Sequence, residues 1–131
     1  MNINSLQVLD LFAGSGGMSL GFTNTGFNII GAVDNCKPAI NIYRKNFTHP
    51  IYDLDIGDKK NWESIKKIGC NAIIAGLPCQ DFSSAGARNE DGGRGDLSVK
   101  FAELFEYIKP SIFVMENVER YQKSKKYKQV I

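Results

Sequence analysis

Two side chains in this sequence have the type and the setting for covalent chemistry. Cys79 stands in Gly76-Leu77-Pro78-Cys79-Gln80, directly after the apolar stretch from Asn71 to Ala75. A buried strand that carries a cysteine at its tip, behind a proline, presents a nucleophile. Glu116, in Glu116-Asn117-Val118, follows a second apolar run, Ile112 to Met115. A thiolate is intrinsically very nucleophilic, and a carboxylic acid can protonate or hydrogen-bond the group under attack. These two strands are expected to be neighbours, so that the two side chains converge over one substrate ring.

A third element supplies a ligand site. Asp10-Leu11-Phe12-Ala13-Gly14-Ser15-Gly16-Gly17 follows a strand pattern and opens a helix. Glycines there let the backbone bend sharply and approach a ligand, with helix N–H groups facing it. The spacing is not the dinucleotide fingerprint, because Ser19 occupies the third glycine position. Asp34 ends the next strand pattern about 20 residues on, where a carboxylate can accept from both hydroxyls of a ribose. Asp55 ends a third and could accept from an adenine amino group, with Phe12 and Ile56 over the adenine faces. A ribose without a pyrophosphate suits S-adenosylmethionine. A tight turn with Asp34 as a helix cap is the plainer alternative; both aspartates at strand ends favour the cofactor.

The three pieces fit one reaction. Carbon 6 of cytosine is a poor electrophile and needs both a strong nucleophile and an acid at ring nitrogen 3. Thiolate addition makes carbon 5 enamine-like, able to take a methyl group from a sulfonium; loss of the carbon 5 proton and of the thiol restores the ring. Cys36 and Cys70 are expected to be small buried hydrophobes, the common fate of free cysteine.

The positioning elements follow from the pattern. Apolar and amphipathic runs alternate, which predicts an α/β fold of βα units around a parallel sheet. Strands are predicted at Val8 to Phe12, Asn28 to Val33, Ile51 to Leu54, Ala72 to Ala75 and Ile112 to Met115. Helices are predicted with Met18, Gly21 and Phe22 on one face, then with Ala39, Ile42, Tyr43 and Phe47 after Pro38. A short one carries Trp62, Ile65 and Ile68 up to Gly69. The clearest stripe is Leu97, Phe101, Leu104, Phe105 and Ile108, stopped by Lys109-Pro110. Between Pro78 and Asp96 lie about 18 residues with no period, an unusual loop that is expected to be functional. Tyr121 onward reads as a helix start.

Bulk properties set limits. The 131 residues form one domain at most, 1–131, with no second domain. A net charge of +2 does not by itself call for a polyanion. Three widely spaced cysteines and one histidine argue against a disulfide framework and against a metal site. No stretch approaches a membrane span, so a soluble protein of a reducing, cytoplasmic compartment is expected.

In order and spacing the motifs resemble the DNA cytosine-5 methyltransferase family. They are the turn from Phe12 to Gly17, Asp34, Asp55-Ile56, Pro78-Cys79-Gln80 with Phe82-Ser83, Arg94-Gly95-Asp96-Leu97, and Glu116-Asn117-Val118. The resemblance covers positions 10–118. It implies a Rossmann-like S-adenosylmethionine-dependent methyltransferase fold of about five mainly parallel strands flanked by helices. It implies methyl transfer to carbon 5 of cytosine in double-stranded DNA by a prokaryotic enzyme of restriction-modification type, nucleoid-associated when acting. By the same resemblance Cys79 is the covalent nucleophile, and Glu116 engages nitrogen 3 and the exocyclic amine. Phe12, Ala13, Gly14, Gly16, Gly17, Asp34, Asn35, Asp55, Ile56, Pro78 and Leu97 belong to the cofactor pocket. Gln80 to Asp96 resembles the loop that closes over flipped DNA, with Gln80, Ser83, Ser84, Arg88 and Arg94 as nucleic-acid contacts. Extrusion is required because a thiol cannot reach carbon 6 inside a duplex. Two positions depart from the family: Asp34 replaces the commoner glutamate, and Asn35 replaces a residue that is often aromatic or apolar.

The family pattern continues beyond Ile131 with further strands, a target-recognition domain and a helix beside the glycine turn. The chain is therefore expected to be a truncated fragment, or else one subunit of a split enzyme, inactive alone. Its Ile112–Met115 strand would form an apolar sheet edge, open to a complementing C-terminal subunit or to self-association. A transfer-RNA cytosine-5 methyltransferase and a non-catalytic S-adenosylmethionine-binding module remain the alternatives.

Overall fold

A computed structural model describes residues 2–78, 95–117, 122 and 128. Its parallel sheet has the order β3-β2-β1-β4-β5 among the described residues. The strands are β1 (Gln7–Leu11), β2 (Asn28–Asp34), β3 (Ile51–Asp53), β4 (Ala72–Gly76) and β5 (Ile112–Glu116). The connecting helices are α1 (Gly17–Asn24), α2 (Lys37–Asn46), α3 (Trp62–Lys66) and α4 (Gly95–Ile108). A 3₁₀ turn at Lys59–Asn61 leads into α3.

The period of 2 divides the strands between two helical layers. Leu9, Leu11, Val33, Ile73 and Ala75 pack with Trp62 and Ile65 of α3 and Phe101 and Leu104 of α4. Val8, Ile29 and Ile74 face α1, where Met18 and Phe22 close over them. Ala32 and Ile51 pack with Ile40 and Tyr43 of α2. β1 and β4 are central, and β4 is buried along Ala72 to Ala75, as its unbroken apolar run requires.

The predicted strands and the helices up to Pro110 are found, with shifted ends; the helix start expected from Tyr121 falls almost wholly outside the described residues. β1 stops at Leu11, because Phe12 turns away with a left-handed φ of 57°. β3 stops at Asp53, which leaves Asp55 in the following turn, where its Oδ1 accepts from the N–H of Gly57 at 2.8 Å. Pro38 sits in the first turn of α2, and Arg44 and Lys45 in its last turn complement the helix dipole. Lys109 ends α4 with a φ of 57°, its N–H bonded to Phe105, and Pro110 follows. Two face assignments are corrected. Ile42 is 49% exposed, and it is Ile40 that turns inward with Tyr43. Gly21 is exposed on α1, away from the face of Met18 and Phe22.

The edge expectation holds among the described residues. β5 pairs with β4 on one side only, and Phe113 and Val114 are 46% and 42% exposed. Phe113 gains partial cover from Phe105 of α4, with ring centroids 4.5 Å apart.

Candidate functional site

All the strands are parallel, so their carboxyl ends lie along one rim of the sheet, and a cavity of about 400 Å³ opens there. Phe12, Asp34, Asn35, Cys36, Leu54, Asp55, Ile56, Gly76, Pro78 and Leu97 line it. The size falls within the range of small-molecule sites, and the wall mixes apolar faces with two carboxylates. The sequence reading had named Phe12, Asp34, Asn35, Asp55, Ile56, Pro78 and Leu97, and the fold brings these seven together from every strand end except that of β5.

Asp34 organises this wall. Its Oδ2 accepts from the N–H of Gly14 at 2.8 Å, and its Oδ1 from the N–H of Cys36 at 2.8 Å. One carboxylate thus ties the glycine turn to the approach of α2. Each oxygen keeps acceptor capacity for a further donor. Phe12 and Phe101 lie 6.2 Å apart, so the residue that leaves β1 in a strained conformation is packed against α4. Leu97 reaches the turn after β3: a Cβ on Gly57 would lie 3.2 Å from it and 3.2 Å from Asp55.

Ala13, Gly14, Gly16 and Gly17 lie outside the cavity lining. Gly14 contributes its N–H to Asp34, and Ala13 is buried beside Ala32 and Tyr43. Gly16 has a φ of 101°, and a Cβ there would come within 2.2 Å of the Phe47 ring. Its glycine is demanded by α2 packing against the turn. Gly16 and Gly17 border a separate, open depression with Phe47 and Leu20.

The chemistry-bearing strand tips are neighbours. Gly76 pairs with Glu116 across β4 and β5, and the N–H of Leu77 bonds to the Glu116 carbonyl at 3.3 Å. An exposed Glu116 side chain leans over Gly76, with Oε2 3.9 Å from where a Cβ would sit, next to Met18. Pro78 lines the cavity. Cys79, Gln80, Ser83, Ser84, Arg88 and Arg94 lie outside the described residues.

Three cavity residues were not named from the sequence. Leu54 had been placed in a strand, Gly76 lies two residues before the proline, and Cys36 had been expected to be a buried hydrophobe. Cys36 is instead exposed at the start of α2. Cys70 is partly buried against the main core, and burial raises its thiol pKa. Also unforeseen is Asp10, fully buried in β1 beneath the turn. Burial pushes its carboxyl up to about 6, although Ser19 bonds to it. A lone aspartate within Val8-Leu9-Asp10-Leu11 was the available signal. Among the described residues no cluster of three or more metal-binding side chains occurs, and no helix is long and apolar enough to cross a membrane.

Comparison with known proteins agrees with this geometry. Residues 6–131 match the family described as C-5 cytosine-specific DNA methylase. The Type II methyltransferase M.HgiDI of Herpetosiphon aurantiacus is 52% identical over 125 residues, which cover 95% of this chain and 40% of that protein. M.HgiGI of the same organism is 50% identical over 125 residues, covering 95% of this chain and 99% of the relative. A solved E. coli structure, assigned as a DNA modification methyltransferase encoded within a prophage, superposes with a TM-score of 0.76 at 33% identity. It is matched over 96% of this chain and 35% of its own. The chain thus spans about 40% of the length of M.HgiDI and about a third of that solved chain. A parallel sheet with a cavity at its carboxyl rim, the neighbouring ends of β4 and β5, and a sequence match along nearly the whole chain lead to one assignment: this chain belongs to the C-5 cytosine-specific DNA methylase family.

Proposed function

We propose that this chain carries the cofactor pocket and both reacting groups of an S-adenosylmethionine-dependent DNA cytosine-5 methyltransferase of restriction-modification type. The observation that carries this reading is the single rim on which the cavity, Pro78 and the Glu116 strand tip meet. The residues present suit the cofactor. Asp34 has acceptor capacity left for ribose hydroxyls, Asp55 lines the same cavity for an adenine amino group, and Phe12 and Ile56 offer apolar faces. Leu97 closes the side formed by α4. When bound, S-adenosylmethionine supplies an electrophilic methyl group on a sulfonium.

The chain's own residues do the rest. The cytosine is extruded from the duplex before it can be reached. Glu116 hydrogen-bonds or protonates ring nitrogen 3 and draws electron density from carbon 6. The Cys79 thiolate adds to carbon 6, forming a C–S bond and leaving carbon 5 enamine-like. Carbon 5 then takes the methyl group. A base removes its proton, the C–S bond breaks, and thiolate and aromatic ring are regenerated. Gln80, Ser83, Ser84, Arg88 and Arg94 are proposed to contact the DNA. Residues 1–131 are read as one part of the catalytic domain, active in methyl transfer only with the further length that relatives such as M.HgiDI possess. A complementing subunit would meet the β5 edge.

Trapping on DNA that contains 5-fluorocytosine tests this reading. With S-adenosylmethionine and the complementing half added, a covalent adduct should form and be lost in Cys79→Ser. An adduct on RNA and on no tested DNA would overturn the substrate assignment.

A further inference from the structure

Beneath the glycine turn runs a line of polar side chains that the reaction above does not use. The N–H of Ser19 donates to Asp10 Oδ2 at 3.1 Å, and its hydroxyl donates to the same oxygen at 2.6 Å. Ser19 Oγ lies 2.7 Å from the Tyr43 hydroxyl, which lies 2.5 Å from His49 Nε2. Asp10, Ser19 and Tyr43 are fully buried, whereas His49 is only partly so. The second oxygen of Asp10, Oδ1, is buried without a partner among the described residues. Four side chains from β1, α1, α2 and the loop before β3 therefore join a carboxyl under the turn to an imidazole near the surface.

Hydroxyl groups both donate and accept, so this line has two self-consistent polarities. With Asp10 ionised, His49 Nε2–H donates to Tyr43, Tyr43 to Ser19, and Ser19 to Asp10. With Asp10 protonated, every donor reverses: Asp10 donates to Ser19, Ser19 to Tyr43, and Tyr43 to His49 Nε2. The change balances as follows. Nδ1 of His49 takes one proton from solvent, each hydrogen along the line shifts one heavy atom inward, and Asp10 receives the proton of Ser19. The imidazole ends neutral with its tautomer exchanged, and no heavy atom moves.

We propose that Tyr43 and His49 are positioning residues that carry a proton between solvent and Asp10, coupling the His49 tautomer to the charge under the cofactor turn, a charge that in turn biases the turn toward a cationic ligand. This rests on the cofactor reading of the cavity. The other titratable groups facing Asp10 are Tyr43 from α2 and Asp34 at the end of β2, and Asp34 is also one of the two pocket carboxylates. His49 is faced by Tyr43, which donates or accepts, and by the Phe47 ring. Burial disfavours charge on both ends of the line, which favours a neutral imidazole that passes its proton inward. A carboxylate at Asp10 adds to the negative field of the pocket wall. It therefore favours a sulfonium ligand over its uncharged demethylated product.

The test uses the chain without ligand. It contains one histidine, so ¹⁵N imidazole spectra report His49 alone. The wild type should pass from an Nε2–H to an Nδ1–H tautomer as pH falls through about 6, where Asp10 takes its proton. Tyr43→Phe keeps the ring but cuts the line, and should show one ordinary imidazole titration; Ser19→Ala should do the same from the other side. Identical titrations in all three proteins would overturn the relay. Calorimetry then compares S-adenosylmethionine with S-adenosylhomocysteine at pH 5.5 and 7. The affinity ratio should fall about threefold at the lower pH in the wild type, as for a one-unit drop in Asp10's pKa from about 6 on binding, and stay level in Asp10→Asn, which cannot ionise. A ratio indifferent to pH, with the tautomer exchange intact, would refute the link to the ligand. Binding of neither ligand would refute the cofactor reading instead.

Discussion

Asp10→Asn should change how stability depends on pH, and the magnitude follows from burial. In the folded chain the carboxyl sits at about 6 rather than 3.8, because it is enclosed and only one of its oxygens is bonded. That difference of roughly two units is worth about 3 kcal/mol. The sign follows from proton counting. Between about pH 4 and pH 6 the folded state holds a proton that the unfolded state has released, so stability falls as pH rises through that window. Below it Asp10 costs nothing; above it the full penalty applies. Asparagine cannot ionise, yet its carbonyl oxygen can still accept from Ser19. The stability of Asp10→Asn relative to wild type should therefore grow by about 3 kcal/mol from pH 4 to pH 7. Any fixed cost of the altered hydrogen bonds cancels in that slope, as do the carboxylates common to both proteins, such as Glu63 and Glu103, whose partners lower their pKa values. Urea unfolding followed by fluorescence of Trp62, the one tryptophan, supplies the measurement. A difference that is flat with pH, or that shrinks as pH rises, would refute the argument that Asp10 is buried at a charge penalty.

Other perturbations probe separate parts. Gly16→Ala places a Cβ 2.2 Å from Phe47 at a φ of 101°, and should lower stability by about 1–3 kcal/mol in the same assay. Leu104→Ala empties a fully buried position between the sheet and α4, with an expected loss of about 2–5 kcal/mol. Asp34→Asn leaves one good acceptor where two amides and a ligand compete, and should weaken S-adenosylmethionine binding by about 10- to 100-fold in calorimetry, as for loss of a charged hydrogen bond. Glu116→Gln sits on an exposed side chain, so the unfolding midpoint should not move, while adduct formation on 5-fluorocytosine DNA in the completed enzyme should slow sharply.

Much of this protein was legible in one dimension. Alternating apolar periods of 2 and 3.6 located β1 to β5 and α1 to α4, because a two-sided sheet needs continuous apolar strands and amphipathic covers. Strand ends were readable for the same reason, and this brought Phe12, Asp34, Asp55 and Ile56 to one list before any coordinates; Pro78 and Leu97 joined it through the family resemblance. Less was legible where packing overrides pattern. Gly16 reads as a ligand-approach glycine, yet its missing Cβ makes room for Phe47, a contact 31 residues away that no local rule contains. Cys36 reads as core by residue type, but the Asx turn of Asp34 holds it at the surface.

From the residues alone came the kind of chemistry, since a thiol behind a proline, a carboxyl after an apolar strand and a glycine turn upstream of both restrict the reaction to few classes. Only the tertiary structure decided the full order β3-β2-β1-β4-β5 among the described residues, because strand order depends on which crossovers close over the sheet. The tertiary structure likewise decided that Asp10, Ser19, Tyr43 and His49 form one line. Side chains up to 39 positions apart become neighbours only when β1, α1 and α2 pack together. A buried carboxyl is then left to bond with whatever donors that packing brings within reach.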